Sequence, residues 1–199
     1  MMLALQARGC HNINLVSPTH VVPQILAGVL IAAHTGLKIP LVYNTGGYDS
    51  LDTLRLLDGV VDIYMPDMKY ANGETARRLS SIRNYPAVNR AAVKEMHRQV
   101  GDLVLDGSGI ARRGLLVRHL VLPKGLAGTK DIVQFLAEEV SPQTYLNLMD
   151  QYRPCYQAHQ HPELNRRITS QEYAQAVREA QAVGLSRLDK REARTLLWI

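Results

Sequence analysis

The sequence predicts an α/β fold in which a parallel sheet, open or curved towards a barrel, is covered by helices. Strand-like and helix-like segments alternate with few interruptions. The strands are apolar on both faces, as strands buried in βα units are. Polar residues gather at the C-terminal ends of successive strands, where parallel sheets build their sites.

The chain opens with MMLALQARG, which reads as the last turns of an amphipathic helix ending at Gly9, with no capping residue before it. A helix on a βα sheet normally follows a strand of its own, so the chain is expected to begin inside a fold. HNINLV (11–16) reads as a strand, and 21–36 as a helix closed by Gly36. IPLVYN (39–44) is the second strand. A short helix follows over 50–59, with Ser50 as its N-cap and Gly59 at its end. VVDIYM (60–65) is the third strand, followed by helical ETARRLS and a longer helix over 86–101. The turn chemistry of DGSG (106–109) predicts a small hairpin. LLVRHLVLP (115–123) is the fourth long strand, 129–141 its helix, and TYLNLM (144–149) the fifth. Thr169 and Glu172 form a capping-box signature for a last helix. Its inward stripe is Tyr173, Ala176, Val177 and Ala180, and Gly184 ends it.

The chain has 199 residues, 46% hydrophobic and 21% charged, which suits one domain or a large piece of a bigger one. The net charge of +5 is spread along the chain, and aromatics make up only 6%. No block of Lys and Arg interleaves with aromatics, so nucleic-acid binding is not indicated. No apolar run approaches the roughly 20 residues of a membrane span, and nothing resembles a signal peptide. The two cysteines, Cys10 and Cys155, lie far apart without ligand spacing. They are expected to be small buried or half-buried residues, and no metal site is expected. Sparse cysteine fits a reducing cytoplasm.

The strand-end groups are Ser17, Thr19 and His20; Asn44, Thr45, Gly46, Gly47 and Tyr48; Asp67 and Lys69; Lys124 and Gly125; and Asp150 to Arg153. Five polar ends in succession favour a ligand site at that rim. In VDIYMPDMKY (61–70), side-chain alternation puts Asp67 and Lys69 on the face that also carries Ile63 and Met65. An ammonium can pair with a ligand carboxylate while an aspartate accepts hydroxyl hydrogen bonds. A mutual ion pair closing the rim is the alternative. Arg118, inside a very apolar strand, needs an anionic partner, for which Asp67 is one candidate.

The run NLVSPTH, VYNTGGY, DIYMPDMKY, VRHLVLP and LNLMDQY resembles the radical S-adenosylmethionine superfamily, in the branch related to pyruvate formate-lyase activating enzyme. The resemblance covers about residues 1–190, with 191–199 left as a C-terminal tail. It implies a partial (β/α)6 TIM-like barrel with the first βα unit missing. It also implies S-adenosylmethionine as cofactor, bound to a [4Fe-4S] cluster and cleaved reductively to a 5′-deoxyadenosyl radical. The implied partners are a glycyl-radical-type enzyme as protein substrate and an electron donor such as flavodoxin or ferredoxin.

On that resemblance the cofactor-binding positions are Thr19, Asn44, Thr45, Asp67, Lys69, Arg118 and Tyr152. Asp67 and Lys69 match an Asp-x-Lys strand end that contacts the cofactor's ribose and methionine portion. Asn44 and Thr45 match an Asp-Thr pair, Arg118 an arginine that meets the methionine carboxylate, and Tyr152 a ring near the adenine. The CxxxCxxC loop that holds the cluster is absent, and Ser17-Pro18-Thr19 replaces a Gly-Gly-Glu. Thr19 can still offer a hydroxyl to the cofactor's amino group. A cluster needs thiolates, so the chain by itself is expected to be inactive, and no catalytic residue is assigned. Two other readings stand beside it. One is a metal-independent βα enzyme using Lys69 as a Schiff-base amine beside Asp67; the other is a non-catalytic interaction module.

Overall fold

Helix α1 (Met2–Ala7) and strand β1 (Ile13–Val16) open the computed structural model, which describes residues 1–189. Then follow α2 (Val22–His34), β2 (Leu41–Thr45), α3 (Leu51–Leu56), β3 (Ile63–Pro66), α4 (Gly73–Ser80) and α5 (Tyr85–Val100). The hairpin strands β4 (Val104–Leu105) and β5 (Ala111–Leu120) lead to α6 (Thr129–Phe135), β6 (Tyr145–Met149) and α7 (Ser170–Ala182). The tail expected over 191–199 lies outside the described residues.

The sheet runs β1-β2-β3-β5-β6, all parallel, with β4 antiparallel to the start of β5. Strand β5 is long because it serves three neighbours in turn. Ala111 and Arg113 pair with β4, Gly114 and Leu115 with β3, and Leu116–Leu120 with β6. Gly114 is required at the handover: its φ is 116°, and a Cβ there would collide with the backbone of Asp102 and Leu103. The DGSG turn forms as its chemistry predicts, with Asp106 accepting from the Ser108 and Ile110 amides at 2.9 and 3.0 Å.

The helices cover one face of the sheet. Tyr43, Tyr64, Val117 and Leu146 point into a core shared with Leu54, Val93, Met96, Ile132 and Ala180. On the opposite face Val42 and Ile63 pack with Leu103 and, less deeply, with Met65, Leu116 and Tyr145. A mostly parallel six-stranded sheet with helices on one side is consistent with a partial barrel. Helix α1 caps the lower edge, where Met2 and Leu5 pack with Ile13, Val29 and Leu41.

Three sequence expectations need correction. Both cysteines are exposed rather than buried or half-buried. The helix expected over 129–141 is α-helical only to Phe135 and continues as a wider π-helical turn over Leu136–Val140. Ser50 occupies the N-cap position of α3 but its hydroxyl makes no capping hydrogen bond. The capping box at Thr169 and Glu172 is present as expected. Asn72, which the sequence reading passed over, caps α4 by accepting from the Glu74 and Thr75 amides.

Candidate functional site

The tip of β3 is where the sheet's alternation has a chemical consequence. Tyr64 and Met68 point into the helix-side core. Asp67 and Lys69 therefore turn to the other face, and they form an ion pair with each other. Strand β5 delivers Arg118 to the same place through a parallel bridge between Asp67 and Arg118. Arg118 Nη2 donates to Asn44 Oδ1 at 2.8 Å and lies 2.7 Å from Asp67 Oδ1. That second approach is close enough for an ion pair but is not aligned as a hydrogen bond. Asp67 Oδ1 and Arg118 Nε are both buried without a hydrogen-bond partner.

One carboxylate thus sits between two cations, Lys69 and Arg118, so the group carries a surplus positive charge. Buried polar atoms without partners are costly and few in native proteins. A surplus cation together with an unpaired guanidinium N–H is an arrangement that an anionic ligand completes. Beside it lies a cavity of about 240 Å³ lined by Asp67, Lys69, Tyr70, Leu120, Met149 and Tyr152, with Ser80 and Leu122. The Tyr152 hydroxyl donates to the Leu164 carbonyl at 2.9 Å, which fixes its ring at the cavity wall. The cavity offers a charged end and an apolar, aromatic wall. A larger cleft of about 570 Å³ lies between the segment after β5 and α7, and Leu122 lines both it and the smaller cavity.

The structure brings Asn44, Asp67, Lys69 and Arg118 into one bonded group, with Tyr152 on the same cavity as Asp67 and Lys69. Thr19 and Thr45 belong to a different cluster, one the sequence reading missed. Asp49, 1% exposed, accepts from Thr19 Oγ1 at 2.7 Å and Tyr43 OH at 3.0 Å on one oxygen. Its other oxygen accepts from Thr45 Oγ1 at 2.7 Å. Burial and the neighbouring Asp49 charge push the Tyr43 phenol well above its ordinary value, so it remains a donor. This carboxylate ties the turn after β1 to the end of β2. An aspartate beside a Gly-Gly-Tyr turn carries no signal in sequence; only the fold brings Thr19 to it.

The turn after β2 is in turn held against the tip of β3 by α5. Asn89, fully buried, donates from Nδ2 to the Gly47 and Asp67 carbonyls, both at 2.9 Å. Tyr85 OH accepts from the Lys69 amide at 3.0 Å and shares its proton between the Gly46 and Asp67 carbonyls. Gly47 has φ 75°, and any Cβ there would strike Asn89 Nδ2 and the Asp67 carbonyl. On the opposite face of β5, His119 is fully buried, bridging the Met68 carbonyl at 2.7 Å and Thr129 Oγ1 at 2.9 Å.

The residues do not fit an iron–sulfur cluster. Cys10 and Cys155 are exposed and separate, and no group of three His, Cys, Asp or Glu among the described residues could hold a metal ion. No helix of the described residues is long and apolar enough to cross a membrane.

Fold and site together define an α/β protein with an anion-ready group at its strand tips. No family model matches the chain. It is 32% identical over 177 residues to an uncharacterized protein of Methanocaldococcus jannaschii, covering 87% of this chain and 47% of that protein. The chain thus spans about half the length of the curated relative it matches. Among solved structures it is similar to a domain of pyruvate-formate lyase-activating enzyme from Bacteroides vulgatus. The TM-score is 0.60 at 11% identity, over 89% of this chain and 96% of that one. A likeness at that identity speaks for the fold alone.

Proposed function

We propose that this chain is the S-adenosylmethionine-binding part of a radical S-adenosylmethionine protein of the activating-enzyme type, with the fold of a partial (β/α)6 barrel. The observation that carries the reading is the Lys69–Asp67–Arg118 group, a surplus cation with unpaired buried atoms beside an apolar cavity. Lys69 and Arg118 suit the cofactor's carboxylate, Asp67 its hydroxyls, and Tyr152 with Leu120 its adenine. The fold shared with the Bacteroides vulgatus domain supports the same reading.

When bound to a cluster, S-adenosylmethionine supplies a radical that abstracts hydrogen from a substrate. The residues of this chain do not fit that cluster. On this reading the thiolates come from polypeptide outside this chain. The protein substrate is a glycyl-radical-type enzyme, and a flavodoxin or ferredoxin supplies the electron. The chain alone, reconstituted anaerobically with iron and sulfide, is expected to hold no stoichiometric cluster after desalting. Iron analysis and visible absorption check this.

A non-catalytic interaction module is the second reading, favoured by the lack of a metal-holding group among the described residues. Titration calorimetry with S-adenosylmethionine, S-adenosylhomocysteine and adenosine separates the two. Binding of the first two that weakens in Lys69→Ala supports the cofactor reading. A folded chain that binds none of them overturns it in favour of the module.

A further inference from the structure

We infer that Tyr85 and Asn89 are positioning residues for the strand-tip site: they set the spacing of its two turns without touching what it binds. This deepens the cofactor reading and rests on it for the identity of the ligand, though not for the geometry. The turn after β2 (Gly46 and Gly47) and the tip of β3 (Asp67 to Lys69) have little of their own to hold them together. The β2–β3 ladder ends at Thr45 and Pro66. Past that point a single backbone bond joins the two segments, from the Asp67 amide to the Thr45 carbonyl. Carbonyls that pass the end of a ladder need other donors.

Both sets of donors come from the first two turns of α5. Asn89 spends its two N–H groups on Gly47 and Asp67, one on each turn. Tyr85 does the same with Gly46 and Asp67, and it also receives the Lys69 amide. Each residue therefore spans both turns, and both converge on the backbone of Asp67. Since Asp67 is the carboxylate between Lys69 and Arg118, its backbone position fixes where the two cations meet. The Tyr85 ring is itself held, stacked on Tyr48 at 6.1 Å and met edge-on by Tyr70 at 5.8 Å. Tyr70 lines the cavity. The fit is tight enough that Gly47 admits no side chain. Pre-organisation of this kind acts on affinity by removing the cost of ordering the site.

The test compares Tyr85→Phe, which keeps the ring and its packing, with Asn89→Ala. Gln99→Leu serves as a control in the same helix, because Gln99 bonds Tyr64 and the Leu54 carbonyl, away from the rim. Amide exchange at Lys69 and Gly47 and the S-adenosylmethionine affinity are measured on the full chain, alongside thermal melts. Losing these bonds should speed Lys69 and Gly47 exchange and raise the dissociation constant by about tenfold or more in Tyr85→Phe and Asn89→Ala. Gln99→Leu should lower the melting temperature and leave both readouts in place. Lys69 and Gly47 exchange unchanged in both rim variants, or changed equally in Gln99→Leu, overturns the inference. So does faster exchange with unaltered affinity. If the wild-type chain binds no S-adenosylmethionine, the cofactor reading fails, while the exchange comparison still decides whether these residues hold the rim.

Discussion

At the scale of single residues, the chemistry of this protein turns on charges that do not balance. Asp67 is 18% exposed and faces two cations, so removing either cation should leave a pair rather than an orphan. Lys69→Ala therefore ought to fold normally and to weaken S-adenosylmethionine binding by about 1–3 kcal/mol, the loss of a charge-assisted hydrogen bond. Calorimetric affinities with folding checked by circular dichroism measure this, and unchanged binding would make the tip purely structural. His119 gives the contrasting case, because it points the other way on β5. Burial holds its imidazole below the ordinary value of 6.5, so the unfolded chain takes up a proton more readily than the native one. Its stabilising contribution is complete above about pH 6.5 and is lost as the pH falls through the folded value. His119→Leu should cost about 1–3 kcal/mol at pH 7 by stranding the Met68 carbonyl and Thr129 hydroxyl. It should also remove that acid limb without altering ligand affinity. Denaturant melts across pH 5–8 report both effects. The Asp-x-Lys tip was legible in sequence because strand alternation is local. The roles of Asp49, Asn89 and Tyr85 were not, because their partners lie 4 to 42 residues away and only the fold assembles them.

At the scale of elements, periodicity and punctuation located the strands and helices, including the hairpin at DGSG and the capping box of α7. The misplacements have local causes. The helix after β5 widens into a π turn at Leu136, and hydrophobic spacing does not distinguish an α from a π hydrogen-bond pattern. Glu172 also does more than its capping signature suggests. It closes the box with Thr169, takes both ends of Arg166 at 2.7 and 2.8 Å, and accepts the Lys124 amide at 2.7 Å. One side chain thereby fastens the turn after β5 to α7. Lys124 holds a left-handed φ of 55° there, unusual for a side chain larger than glycine. Arg166 and the amides hold the Glu172 carboxyl far below its ordinary 4.5, so its contribution is present above that value and lost as the pH falls beneath it. Glu172→Gln is expected to cost about 1 kcal/mol at pH 7, typical of a lost cap. The difference from wild type should begin to narrow as the pH falls below about 4.5 and close only at the far lower folded value. Urea midpoints at several pH values would show it, and a pH-independent difference would mean that the charge is not what holds the clasp.

For the whole molecule, the most telling feature is a long stretch without an acidic, lysine or arginine side chain. Between Gly9 and Leu37 there is no Asp, Glu, Lys or Arg, in a chain that is 21% charged. Strand β1 and helix α2 occupy this stretch. Helix α2 buries Val22, Val29 and Ala32, yet Leu30 and Ile31 on its outer side stay 60% and 69% exposed, as does Val16 on β1 at 66%. Helices apolar on all sides are normally covered. Strand β1 pairs only with β2 among the described strands. The Ile13 and Ser17 amides donate towards β2, which turns the backbone groups of Asn14 and Val16 to the open edge. At the far side of the sheet the chain covers its own edge, since Arg187 and Asp189 bond β6 at Leu146. An uncharged edge, uncovered among the described residues and beside exposed aliphatic side chains, is a template for pairing. The isolated chain is therefore expected to self-associate as its concentration rises. Substituting Ile31→Lys or Val16→Lys adds charge where little burial is lost, so stability should stay within about 0.5 kcal/mol of wild type. Sedimentation velocity over a concentration series should then show more monomer for each variant and most for the pair. A wild-type chain that remains monodisperse throughout would show that the bare edge is tolerated, and equal association in the variants would place the contact on another surface.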